Sequence, residues 1–353
     1  MKKILLFCAL AALSLFPSLG AGLEVPQLEQ VWEQAEDYGV AQGEGLDQGL
    51  SRLFADALGQ VGSLFRASLS TALKLIAVVL LCALAEGVRP EEEGGIQAVA
   101  IAGVLAITAL TMTDMAVMIG LGRDTLGRME GFSSVLLPVM AVLTAATGNV
   151  TSAAVHQGAT VLFSQLLITA MDRLLVPLVY AYVAVSCAHA AVGNPGLSKV
   201  AGLLKGAATS ILTALLLAFV GYLTASGAVA GSVDAAAVKT AKMAISRAIP
   251  VVGGILADAS ESVLAGAGVL RGAVGMTGLL VVLAVCLTPF LRLAVQYLVY
   301  KGAAALCAMV AQPRLSGLID AIGSAFGLVL GMTGAGALVL LVSLVSAVKA
   351  VVP

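Results

Sequence analysis

Apolar residues along this chain gather into long runs parted by short polar or Gly/Pro joints, the pattern of helices that cross a bilayer. Runs of near-spanning length occupy residues 69–86, 95–121, 151–171, 174–192, 203–226, 273–299 and 318–348. A further run, 132–147, is too short to cross about 30 Å of hydrocarbon untilted. The joints are Arg89-Pro90-Glu91-Glu92-Glu93, the stretch from Arg123 to Glu130, Asp172-Arg173, Gly193-Asn194-Pro195-Gly196 and Gln312-Pro313-Arg314. None is long enough for a second soluble domain. The expectation is an all-α polytopic integral membrane protein with about seven or eight spanning or half-spanning segments.

Two stretches near the N-terminus break this pattern. Residues 1–22 carry Lys2 and Lys3, an apolar run to Phe16, then Pro17 and the small residues Ser18, Gly20, Ala21 and Gly22. That is the build of a secretory signal peptide, with an uncleaved anchor helix as the competing reading. Residues 23–66 are acidic and hold Trp32, the single tryptophan. Within them Leu53, Phe54, Ala57, Leu58, Val61, Leu64 and Phe65 recur at helical spacing opposite Asp56, Gln60 and Ser63. Such a helix either lies along a membrane surface or packs on its own membrane domain. The membrane domain then runs over 67–353.

Composition narrows the function classes. Of 353 residues 60% are apolar and 11% charged, with a formal net charge of −1 and two histidines. This leaves no basic field for nucleic acid and no His-rich metal site. Cys8, Cys82, Cys187, Cys286 and Cys307 stand singly in apolar stretches and read as small hydrophobes. There is no phosphate loop, no zinc-binding HExxH pair and no nucleophile elbow. We therefore expect no enzyme, no cofactor and no bound metal. The loop charges do not fix orientation, because placing residues 23–66 outside leaves Arg123 and Arg128 outside as well, against the positive-inside tendency.

Ionisable residues within apolar runs are the candidates for function, since charge at membrane depth is costly. Lys74, Asp114, Arg292 and Asp320 are of this kind. Lys74 is near a span end and can snorkel. Asp114 is deeper and suits a lined cavity or an interhelical hydrogen bond. The stretch 233–248 has the habit of a basic interfacial helix, with Lys239 and Lys242 opposite Val238, Ala241 and Ile245. It leads into Pro250, Gly253-Gly254, the acids Asp258 and Glu261 at helical spacing, and Arg271. These acids either line a functional path or are hydrated at a re-entrant turn. Glycines 327, 331, 334 and 336 mark close helix contact, read either as a pore or oligomer seam or as ordinary intramolecular packing. Finally, Pro138 and Pro177 are matched by Pro250 and Pro289 at one offset of 112 residues. A duplication with broken helices would give a two-unit transporter plan.

The block Lys239-Thr240-Ala241-Lys242-Met243-Ala244-Ile245-Ser246-Arg247-Ala248-Ile249-Pro250-Val251-Val252-Gly253-Gly254, followed by Leu256-Ala257-Asp258-Ala259 and Gly272-Ala273-Val274-Gly275, resembles the stage III sporulation protein AE family. Residues 148–155 and 197–205 add to the likeness. The resemblance implies a membrane component of a multi-protein, channel-like or export-like apparatus. Such an apparatus would join mother cell to forespore during endospore formation, with other stage III sporulation membrane proteins and the lipid bilayer as partners. It implies residence in the mother-cell membrane facing the forespore, and no catalytic residues. A self-contained secondary transporter of a small solute is the alternative, and a homo-oligomer is open in either case. The candidate functional residues are Asp258, Glu261, Lys239, Lys242, Arg271, Asp114, Pro250 and Gly253.

Overall fold

The computed structural model describes residues 28–41, 43, 45–88, 93–146, 150–248, 253–310 and 313–349. Of helical residues 88, 93–97, 150–157, 159–160, 223–248, 253–269, 271 and 346–349 it describes the backbone alone. The signal-peptide stretch lies outside the described residues.

Every described element is helical. A short helix α1 (Leu28–Asp37) precedes α2 (Leu46–Val88), α3 (Glu93–Ala146) and α4 (Val150–Ala170). A π-helical turn (Met171–Leu175) joins α4 to α5 (Val176–Val192), and α6 (Pro195–Ala248), α7 (Gly253–Ala308) and α8 (Pro313–Lys349) complete the order. Six helices among the described residues are long and apolar enough to cross a membrane. The count is lower than the segments expected because two presumed joints are helical. Arg123 to Glu130 lies inside α3, and Asp172-Arg173 occupies the π turn within one rod. At α3 the reason is visible in the packing: Gly122, Thr125, Leu126 and Met129 face inward at helical spacing while Arg123, Asp124 and Arg128 face out. Charge on one face leaves the apolar stripe unbroken. Residues 132–146 of the 132–147 run continue the same 54-residue helix, about 80 Å long at 1.5 Å per residue.

Side-chain pairs fix the directions. Thr108 with Cys187, Arg123 with Asp172 and Glu130 with Gln165 are pairs whose residue numbers share one sum, so α3 runs antiparallel to the α4–π–α5 rod in constant register. Gly323 with Tyr300, Gly327 with Tyr297 and Gly334 with Phe290 make α8 antiparallel to α7. Lys205 with Ser324 and Leu212 with Gly331 make α6 parallel to α8. The long rods therefore alternate in direction, and α8 sits among α3, α4, α5, α6 and α7 as the most buried of them.

The turns at one end follow from sequence. Gly193 closes α5 in the left-handed region (φ 74°), where its N–H donates to the His189 carbonyl at 2.7 Å. Asn194 Oδ1 accepts from the Gly196 N–H at 2.8 Å, and Pro195 starts α6 where its missing donor costs nothing.

The acidic segment is folded onto the bundle. Val31, Ala35 and Val40 are buried in the core while Glu29, Glu33, Glu36 and Asp37 are exposed. Tyr38 meets Phe132 edge-on at 6.4 Å, and Arg52 donates to the Gly39 carbonyl. The amphipathic stretch 53–65 is the lower part of α2. Leu53, Ala57, Val61 and Leu64 face the core. Of its two readings, packing on the chain's own bundle describes these four residues, while Phe54, Leu58 and Phe65 stay exposed.

The glycines of α8 likewise pack inside the chain. They seat the α7 side chains Phe290, Tyr297 and Tyr300, and Gly336 receives the tip of Leu126 from α3. This is the intramolecular packing that small residues permit between membrane helices.

Candidate functional site

One tier of polar side chains crosses the apolar bundle, and Asp114 is its start. Asp114 stands on α3 at a half-buried position. Its Oδ2 accepts the hydroxyl of Tyr300 at 2.9 Å and the amide of Gln296 at 3.1 Å, both from α7. Ser68 on α2 donates to the Gln296 carbonyl oxygen at 2.6 Å, which sets the amide so that its N–H group points at the carboxylate. Tyr300 is wholly buried and its ring stands edge-on to Phe326 at 4.9 Å. Gln296 and Tyr300 lie four apart on one helix face, which is why both reach the same acid.

The next residue, Lys301, points into the other half of the bundle. Its ammonium donates to Asp320 at 2.7 Å and to Ser324 at 2.8 Å, both on α8. Lys205 of α6 reaches the same Ser324 at 3.1 Å, and buried Tyr182 of α5 borders the cluster. The register that pairs Thr108 with Cys187 puts Asp114 level with Tyr182 to within a residue. The two clusters therefore occupy one level, with the adjacent Tyr300 and Lys301 serving one side each. Ionisable groups inside a membrane bundle characteristically pair in this way.

A second tier lies nine residues along α3, about 14 Å away. Arg123 Nε donates to Asp172 at 2.7 Å and Gln165 donates to Glu130 at 2.6 Å. The π turn presents Asp172 to α3. Both members of the Arg123–Asp172 pair are roughly half exposed, so a coupling of about 1 kcal/mol or less is expected. Reversing either charge alone should lower thermal stability in detergent, and exchanging both should restore it. A double-mutant cycle on detergent melting measures this.

Of the eight candidate residues, Asp114 belongs to the described tier, and its partners on α7 and α2 were not legible in the sequence. Lys239 and Lys242 lie in the backbone run of α6, and Gly253, Asp258, Glu261 and Arg271 in that of α7; their side chains, and Pro250 entirely, lie outside the described residues. Asp320, noted among apolar runs, joins the tier. Lys74 and Arg292 are exposed. Sequence reasoning passed over Lys205, Lys301, Tyr300, Gln296, Ser324 and Tyr182. Lys205 and Gln296 stood inside the 203–226 and 273–299 runs, and that was their available signal.

Cys82, Cys187, Cys286 and Cys307 are free thiols set in the bundle, as their apolar surroundings implied. Pro138 and Pro289 lie inside helices. Of the polar breaks that the duplication reading expects, 147–149 falls between α3 and α4 and lies outside the described residues, while 258–261 belongs to the helical backbone of α7.

The fold and its internal polar tiers define a polytopic helical membrane protein. The profile of the stage III sporulation protein AE family matches residues 39–350, and the chain belongs to that family. A curated relative, the stage III sporulation protein AE of Bacillus subtilis (strain 168), is 24% identical over 202 residues. That stretch covers 57% of this chain and 51% of the relative, so the chain spans about half the length of the curated relative it matches. No solved structure matches the chain.

Proposed function

We propose that this protein is the membrane-embedded part of a multi-protein, channel-like or export-like complex that connects mother cell and forespore during endospore formation. The observation that carries the reading is the family match from residue 39 to 350, over a chain built of long apolar helices. The packing supports an assembly over a solitary conduit. The α7–α8 seam is filled by aromatic rings seated on glycines, and the inward faces of α3 and α8 interlock at Gly122 and Gly336. Among the described residues these seams leave no room for anything large, which favours a passage formed between chains. The mother-cell membrane facing the forespore is the proposed location, with other stage III sporulation membrane proteins as the partners.

The test is purification of the tagged protein from gently solubilised sporulating cells. Recovery of other sporulation membrane proteins in fixed ratio is expected. Recovery of this chain alone and monodisperse would instead favour the solitary transporter. Replacing Asp258 by Asn together with Glu261 by Gln is expected to block sporulation at unchanged protein level; a normal spore yield would remove these acids from the proposed path.

A further inference from the structure

Lys205 occupies a position where a lysine is costly. It stands ten residues into α6, about 15 Å along the helix from the 193–194 turn. On the same helix Val200, Leu203 and Leu217 are exposed, Leu203 to 72%. Beyond it, at the near end of the bundle, Val192, Leu306, Met309 and Val310 are exposed too. The lysine therefore stands at the depth of an apolar span, with Gly202 and Thr209 exposed beside it on its own face.

Its ammonium turns inward to Ser324, and Ser324 is already committed. A hydroxyl offers two lone pairs and one proton. Lys301 and Lys205 take up the lone pairs. The carboxylate of the cluster, Asp320, is bonded to Lys301. Two ammonium groups thus share one acid, and among the described residues Lys205 has no carboxylate of its own. Asp320 remains 51% exposed, so the cluster is open to the outside of the bundle.

We propose that the exposed face of α6 around Lys205, beside the opening at Asp320, docks a membrane helix of another protein, which brings a carboxylate to the Lys205 ammonium. Charge selects the occupant. The cluster has one cation in excess at the depth of an apolar span, and an apolar helix bearing one Asp or Glu matches both features. The inference rests on the multi-protein reading above and assigns one of its contacts.

The test uses the full chain in sporulating cells with Lys205 kept, a photo-crosslinking amino acid at exposed position 209, one turn along the same face, and the same probe at 203 as the reference. The expected adduct at 209 is an apolar peptide of another protein containing Asp or Glu. Lys205→Glu should reduce recovery of that protein with the tagged chain roughly 100-fold, as loss of a desolvated charge pair does. Lys205→Gln should weaken recovery at unchanged protein level, Lys205→Arg should retain it, and changing the partner's acid to Lys should restore it to Lys205→Glu. Adducts with lipid alone or with a second copy of this chain overturn the proposal, as does full partner recovery by Lys205→Glu. Partners that co-purify with the unaltered chain but never crosslink at 209 overturn the docking site and leave the complex standing. An absence of co-purifying partners overturns both.

Discussion

Replacing Asp114 by Ala is expected to cost about 2–6 kcal/mol, because it strands two buried donors at about 1–3 kcal/mol each. The donors are the hydroxyl of wholly buried Tyr300 and the amide of Gln296. Against a total of about 5–15 kcal/mol for a folded protein, such a loss should appear as reduced protein level and a lower melting point in detergent. Asp114→Asn keeps an acceptor oxygen in place and should lose much less. Adding Tyr300→Phe to Asp114→Ala removes one stranded donor and should recover part of the loss, a coupling that single substitutions cannot display. If Asp114→Ala melts like the unaltered protein, the network is not holding α3 to α7.

The second large effect concerns the glycines of α8, and here raw closeness ranks them wrongly. A Cβ on Gly336 would fall 2.0 Å from Leu126 Cδ2, whereas one on Gly323 would stand 3.1 Å from the Tyr300 Cβ and 3.5 Å from the Lys301 backbone nitrogen. The Leu126 tip is the free end of a flexible side chain and borders a small cleft shared with Leu167, Gly336 and Leu340, into which it can turn. The neighbours of Gly323 are anchored to backbone and cannot yield without moving α7. Gly336→Ala should therefore cost under about 1.5 kcal/mol and Gly323→Ala about 2–3 kcal/mol. Detergent melting of the two variants decides the order. A larger loss at Gly336 would show that Leu126 has nowhere to go.

The helical class was legible because successive apolar runs as long as a bilayer is thick, with so little charge between them, exceed what a soluble core can bury. The Gly193-Asn194-Pro195 turn was legible because each residue type has one conformational use there. The joints were misread for a definite reason. A charge count along the chain registers Arg123, Asp124 and Arg128 but not the azimuth that sends them outward while Leu126 and Met129 face in. The π turn at Met171–Leu175 leaves no comparable mark, since its residues are ordinary helix formers. Asp114 stood out as a carboxylate amid apolar residues, whereas its partners Gln296 and Tyr300 come from a helix more than 180 positions away. Distance along the chain hides such pairings. Lys301 was missed because it follows the apolar run 273–299 and looks like an ordinary end of span, while the turn after α7 comes only at Met309 and Val310.

The central place of α8 has a consequence for how the protein is made. Its neighbours α3, α4, α5, α6 and α7 all leave the ribosome before it does. Until it arrives they enclose a vacant axis, Lys301 has no Asp320, and the rings of Tyr297 and Phe290 have no glycine to rest on. Contacts among the earlier helices, such as Arg123 with Asp172, can form as these insert, whereas every contact to the core strut waits until α8 has been threaded in.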